Sequence, residues 1–243
     1  MESLWPFGRE FLVASVVLRF YNERRCGLLD NLTNEKTYDS VFWTGVARLT
    51  RHLVPLVNEV FGEHFSEHTE IRLDPMKQVT RLPDDSLKET ETDAMAELSD
   101  EESGLTKYYH FECETWPDNG MALRIAEYDA GTAFSNVKRT ENGACMTIPN
   151  SAVIYLRNAE SFPNEYVITI DYPGGIAHYS VPVVRMSGYT LKTLLEKQLY
   201  LLLPFYWFCY AKEMKDDHGD EILKRIREDW DRINQSRAGE IEY

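Results

Sequence analysis

Cysteine is scarce and scattered in this chain. Cys26, Cys113, Cys145 and Cys209 lie far apart with no C-x-x-C pair, which excludes a zinc ribbon and a dithiol redox motif. A reducing compartment, the cytoplasm, is the expectation for such cysteine usage. Long apolar runs are missing too. The strongest, residues 199–210, is shorter than the roughly 20 residues of a membrane span and contains Pro204, so a buried, kinked helix is expected there. The apolar stretch at 11–18 follows Glu2, Arg9 and Glu10, runs into Arg19 and lacks a small-residue cleavage site, so it does not read as a signal peptide. Positive charge is in deficit: 26 Lys and Arg stand against 40 Asp and Glu, a formal charge of −14 with a pI near 4.9. That balance excludes a generally basic nucleic-acid coat and an anionic-membrane binder, because both neutralise phosphates with Lys and Arg. Any nucleic-acid function has to come from a local site.

What is present suits a folded protein. The 243 residues are enough for one large domain or two small ones, and 43% hydrophobic with 12% aromatic residues supply a substantial core. The negative charge is concentrated. Residues 84–102 carry nine acidic side chains against Lys88 alone, more than half of the net charge, and read as a solvated loop. Residues 213–243 hold ten acidic against six basic residues. The remaining body is close to neutral.

Apolar spacing predicts a helix over 39–61, capped at Asp39, with a kink or two helices meeting at Val54-Pro55, and closed by Gly62. Short extended segments follow at 70–73, 92–98 and 107–114, then a helical pattern through Met121, Ile125, Tyr128 and Ala133. Strands are expected at 144–148 and 152–157, and a hairpin at 166–172 and 178–184 around Pro173-Gly174-Gly175. Helices from Leu191 to about Lys215 and from Asp220 to Gln235 complete the prediction. The fold class expected is α/β (α+β): helix, three strands, helix and strand, with an added hairpin and C-terminal helices. Residues 1–37 form an N-terminal extension, 38–160 the core, and 161–243 the hairpin and helices packed on it.

The segment 107–114 carries the chemistry. Alternate side chains of a strand share a face, so Tyr108, His110, Glu112 and Glu114 point one way while Tyr109, Phe111 and Cys113 point the other. Pairing of this segment with 92–98 would bring Asp93 near Glu112, and two such carboxylates need a metal or a shared proton to offset their repulsion. A solvent-facing polar row on an edge strand is the plainer alternative.

Thr92-Asp93, Tyr109-His110-Phe111-Glu112-Cys113-Glu114 and Met121-x-x-Arg124-x-x-Glu127-Tyr128-Asp129 together resemble the catalytic core of the PD-(D/E)XK nuclease superfamily, most closely its transposase-like or recombination-promoting branch. The resemblance extends upstream to Tyr38-Asp39-Ser40-Val41-Phe42 and Asn58-Glu59-Val60-Phe61-Gly62. Downstream it takes in residues 151–157, Val181-Pro182-Val183 and Leu202-Leu203-Pro204-Phe205-Tyr206. It implies a Mg²⁺-dependent deoxyribonuclease, with Mn²⁺ as an alternative ion, that hydrolyses phosphodiester bonds by metal-activated water. DNA is the implied partner, a homodimer is compatible with it, and a membrane is not involved.

By motif match Asp93 and Glu112 are metal carboxylates, the Cys113 carbonyl is a further ligand, and Glu59 reaches the metal through water. Glu114 stands at the third catalytic position, where the superfamily usually has Lys and this branch Gln. A lysine there orients water and stabilises developing charge, whereas a carboxylate ligates a second metal or takes a proton. Arg124, Tyr128 and His110 are the substrate-binding candidates, with an Arg124–Glu127 pair as the alternative for the first. Arg19, Arg24, Arg25, Arg48, Arg51, Lys138 and Arg139 are candidates for a positive rim. The rival reading is an inactive descendant of the fold that binds DNA or protein, and a weaker one a carboxylate-pair glycosidase.

Overall fold

The computed structural model describes residues 42, 45–47, 49–73, 77–81, 87–91, 94–101, 104–114, 118–156 and 162–206. Phe42 and residues 45–47 are helical, Thr50–His52 form a 3₁₀ turn, and helix α1 runs Leu53–Phe61. Leu53, Val54, Leu56 and Val57 form its buried stripe. Gly62 caps it with φ 66°, a left-handed conformation that costs an L side chain about 1–2 kcal/mol. The expected break is displaced from Val54-Pro55 to Leu49–His52. Pro55 is the third residue of α1, where its missing N–H belongs to the first turn and would have had no helical partner anyway. The expected Asp39 cap lies outside the described residues.

Strands β1 (Glu70–Leu73), β2 (Lys77–Arg81), β3 (Leu87–Glu91), β4 (Ala94–Asp100) and β5 (Leu105–Glu114) follow. The acidic 84–102 stretch, expected as loop, is therefore largely strand. β2 and β3 form a separate hairpin whose register sets Lys77 opposite Glu91, and β4 joins the main sheet. Helix α2 (Met121–Ser135) leads to a small hairpin, β6 (Lys138–Thr140) with β7 (Gly143–Cys145), of which the first strand was not foreseen. Then come β8 (Asn150–Tyr155), β9 (Glu165–Tyr172) and β10 (Gly175–Arg185). The predicted hairpin forms as expected. Helix α3 (Leu191–Glu196) stops early: Gln198 takes φ 56°, Tyr200–Leu202 make a 3₁₀ turn, and α4 (Leu203–Tyr206) restarts. The helix expected from Leu191, with a kink at Pro204, is thus broken before that proline. The helix expected at 220–235 lies outside the described residues.

Six strands form one mixed sheet in the order β1-β4-β5-β8-β10-β9. β1, β4 and β5 are antiparallel neighbours, β8 runs parallel to β5, and β10 parallel to β8. A parallel pair requires a crossover connection, and α2 lies within the one between β5 and β8. Both faces of the sheet are covered. Tyr109, Phe111 and Cys113 of β5 join Ala152 and Ile154 of β8 in a core with α1 and residues 186–206. On the opposite face Met121 and Ile125 of α2 pack with Val153, Tyr155, Ile168 and Val181. The architecture is mixed α/β, of the α+β kind, and β5 sits within it with two buried faces. His110 and Glu112 lie on the α2 face, so a cationic and an anionic side chain occupy positions where apolar residues are the rule.

Candidate functional site

His110 is fully buried and Glu112 is 3% exposed. Charges so enclosed have to be paired and hydrogen-bonded. His110 Nε2 donates to Glu112 Oε1 at 2.8 Å, and Nδ1 lies 3.1 Å from Asp129 Oδ1. Asp129 comes from α2 and is itself fully buried. Its Oδ1 also accepts from Ser151 Oγ at 2.5 Å, and its Oδ2 accepts from Tyr179 OH at 2.8 Å. Ser151 stands opposite His110 in the β5–β8 register. The Tyr128 ring and the imidazole form a T-shaped pair, centroids 5.6 Å apart at 73°. One carboxylate on α2 thus gathers donors from β5, β8 and β10.

This arrangement keeps His110 charged. Burial pushes its pKa down, but the hydrogen bonds and charges of Asp129 and Glu112 more than offset that and raise it to about 9. Burial, with the Asp129 charge beside it, holds the Tyr179 hydroxyl firmly protonated. Only Oε1 of Glu112 is engaged. Among the described residues Oε2 has no hydrogen-bond partner.

Two residues along β5, Glu114 makes a close ion pair with the Nη2 of Arg124 on α2, and the same nitrogen contacts Asp118 Oδ2 at 3.0 Å. Burial pushes the Arg124 pKa down, while the charges of Glu114, Glu112 and Asp118 raise it on balance. Arg124 remains about one-third exposed. It pairs with Glu114 and Asp118, not with Glu127, the partner offered as the alternative to phosphate binding. Beyond Glu114, the Tyr155 and Tyr166 hydroxyls meet at 2.7 Å and the Tyr155 ring stacks on Phe162.

The structure therefore brings together Glu112, His110, Tyr128, Glu114 and Arg124. Asp93 lies outside the described residues, although Ala94 stands opposite Phe111 and their chain neighbours are Asp93 and Glu112. Glu59 is not brought to this group. It projects from α1, which covers the other face of β5, and binds Lys197 Nζ at 2.7 and 2.8 Å with Tyr189 OH at 3.3 Å. A cleft of about 900 Å³ opens there, lined by Arg51, Asn58, Glu59, Glu63, His64 and Lys197 among others. Its charges are largely spent within the protein, since Glu63 holds Lys107 and Arg51 donates to the Glu67 carbonyl. The Cys113 side chain is buried on that same face, away from Glu112. His110, a substrate-binding candidate whose plainer reading was a structural neighbour, is enclosed with both ring nitrogens engaged, as the plainer reading has it. Lys138 and Arg139 are exposed on β6, while Arg19, Arg24, Arg25 and Arg48 lie outside the described residues.

Asp129, Ser151 and Tyr179 are the residues that sequence reasoning missed as functional. The first two stand inside the motifs that carried the resemblance, and a polar residue at a helical position facing an apolar core was the available signal for Asp129. Nothing local to Tyr179 foretold its role. Among the described residues no group of three His, Cys, Asp or Glu side chains could hold a metal ion. No protein-family model, curated protein or solved structure matches the chain.

Proposed function

We propose that the chain is a metal-dependent deoxyribonuclease of the PD-(D/E)XK kind, built like the transposase-like branch. The observation that carries this reading is Glu112: a buried carboxylate near the carboxyl end of β5, held through one oxygen and with the other unpartnered among the described residues. The order of elements supports it, since α1, the antiparallel β1, β4 and β5, then α2 and the parallel β8 follow the sequence helix, three strands, helix, strand.

By the motif, carboxylate oxygens of Glu112 and Asp93 would be the ligands of a hard divalent ion. Such an ion, when bound, lowers the pKa of water and polarises the phosphate. The chain's own residues supply orientation. Glu112 presents one oxygen from a fixed posture. The exposed part of Arg124 offers planar donors suited to a phosphate, and a phosphate binding there competes with Glu114 for the guanidinium. Glu114, once released, is a carboxylate able to accept a proton from water. Plasmid nicking in Mg²⁺ or Mn²⁺ tests the proposal: cleavage is expected to vanish with EDTA and in Asp93→Ala, and nicking that survives both would sink it.

The Arg124–Glu114 pair favours a second reading, a non-catalytic module that keeps the fold, because it occupies the third catalytic position with an internal ion pair. Calorimetric titration with Mn²⁺ separates the two. Binding that depends on Asp93 and Glu112 supports the enzyme; its absence supports the module.

A further inference from the structure

Asn-Gly occurs twice in the sequence, at Asn119-Gly120 and at Asn142-Gly143, and the fold treats the two pairs differently. Such a pair is able to modify itself, because glycine has no side chain to keep its nitrogen away from the preceding side-chain amide. Asn119 and Gly120 are exposed, but their backbone is tied down. The Gly120 N–H donates to Asp118 Oδ1 at 2.7 Å, Asp118 is itself held by Arg124, and Gly120 leads directly into the buried Met121 of α2. A nitrogen donating to a carboxylate is held as N–H and is a poor nucleophile.

Asn142 has none of these restraints. It sits in the two-residue turn Glu141-Asn142 of the β6–β7 hairpin, whose closing pair is Thr140 and Gly143. Residues 138–147 are all exposed, and no other strand among the described residues joins this hairpin. The Asn142 amide makes no hydrogen bond among the described residues. The turn is also a poor match to its strands. Two-residue hairpin turns normally carry positive φ, which follows the strand twist, yet neither turn residue has it, since Gln198 is the one non-glycine residue with positive φ among the described residues. A short, solvated, splayed hairpin opens at little cost.

We propose that Asn142 is a self-modification site that converts to aspartate and isoaspartate, with water as the reactant. When the hairpin opens, the Gly143 nitrogen attacks Asn142 Cγ, and its proton passes to solvent and on to the leaving group. The N–Cγ bond forms, the side-chain nitrogen departs as ammonia, and a succinimide ring remains. Water then opens the ring. Cleavage at Cγ gives aspartate, and cleavage at the main-chain carbonyl gives isoaspartate, whose backbone is a carbon longer. Nothing is oxidised or reduced. Either product adds a carboxylate, so the hairpin, with Lys138 and Arg139 against Glu141, goes from +1 to neutral. Isoaspartate also shifts β7 out of register with β6. The proposal is independent of the nuclease reading.

To test it, the full chain is held in warm buffer at neutral and at mildly alkaline pH, and its peptides are mapped by mass spectrometry with electron-transfer fragmentation, which tells isoaspartate from aspartate. Conversion at Asn142 is expected to run several-fold faster than at Asn119 and to quicken with pH, since attack needs the deprotonated nitrogen. Gly143→Ala is expected to slow it several-fold. The added Cβ would stand 3.4 Å from Thr140 Oγ1 and Gly143 does not have positive φ, so the variant should match the wild type in circular dichroism and melting. In urea the two sites are expected to convert at similar rates, because the fold is what separates them. Conversion at Asn142 no faster than at Asn119 in the native chain, an unchanged rate in Gly143→Ala, or the same ratio of rates with and without urea overturns the proposal.

Discussion

A histidine sealed between two carboxylates makes its own stability signature. In the unfolded chain its pKa is near 6.5, whereas in the fold it is raised to about 9. The native state therefore holds more protons than the unfolded state between those values, and the stabilisation is fully present below pH 6.5 and lost as pH rises through 9. Urea unfolding in EDTA should show a midpoint that falls across pH 6.5 to 9 in the wild type and a flatter profile in His110→Gln. Equal slopes in the two proteins would remove His110 as the source. The alternation of 107–114 made the shared face of His110 and Glu112 legible in the sequence. That this face is buried was not legible, because alternation gives the face and not what covers it. The cover is α2 and its Asp129, nineteen positions further along the chain.

At the scale of elements, the six strands of the main sheet and α2 were read closely, whereas β2, β3, β6 and the helix breaks were not. Proline at 55 suggests a kink or a junction of two helices there, but a proline in a first turn loses no helical hydrogen bond, and the chain turns at Leu49–His52 instead. The same confusion of composition with conformation arose at 84–102, where dense negative charge suggested loop. Strand pairing tolerates such charge when each acidic position has a partner strand and open solvent, as in Arg72 of β1 meeting Glu97 of β4 at 2.7 Å. A hydrogen bond from Tyr108, followed by the one from Arg72, lowers the pKa of the Glu97 carboxyl. Gly62 was read correctly because its signal is physical: a helix end needs a left-handed residue. A Cβ added there meets nothing within 4 Å, so Gly62→Ala should destabilise by the backbone term alone, about 1–2 kcal/mol, measured by urea denaturation. A change near zero would mean that α1 ends differently in solution.

For the molecule as a whole, acidity first argued against nucleic acid. More than half of the net charge falls in 84–102, while around Glu112 two cations offset part of the negative charge: His110 stands between Glu112 and Asp129, and Arg124 between Glu114 and Asp118. The positions of β1, β4, β5, α2 and β8 along the chain could be read from periodicity, because it is a local property of the chain. The convergence of β5, α2, β8 and β10 on Asp129 could not, since it depends on sheet order and on a tyrosine fifty residues away.

The central claim, that Glu112 serves metal-dependent cleavage of DNA, is tested most directly by converting supercoiled plasmid to nicked circles with equal amounts of wild type and Glu112→Gln in Mn²⁺. The account predicts steady nicking by the wild type and a loss of at least about 100-fold in the variant, the scale on which one transition-state group matters. Nicking at the same rate by both proteins, or none by either, would contradict it.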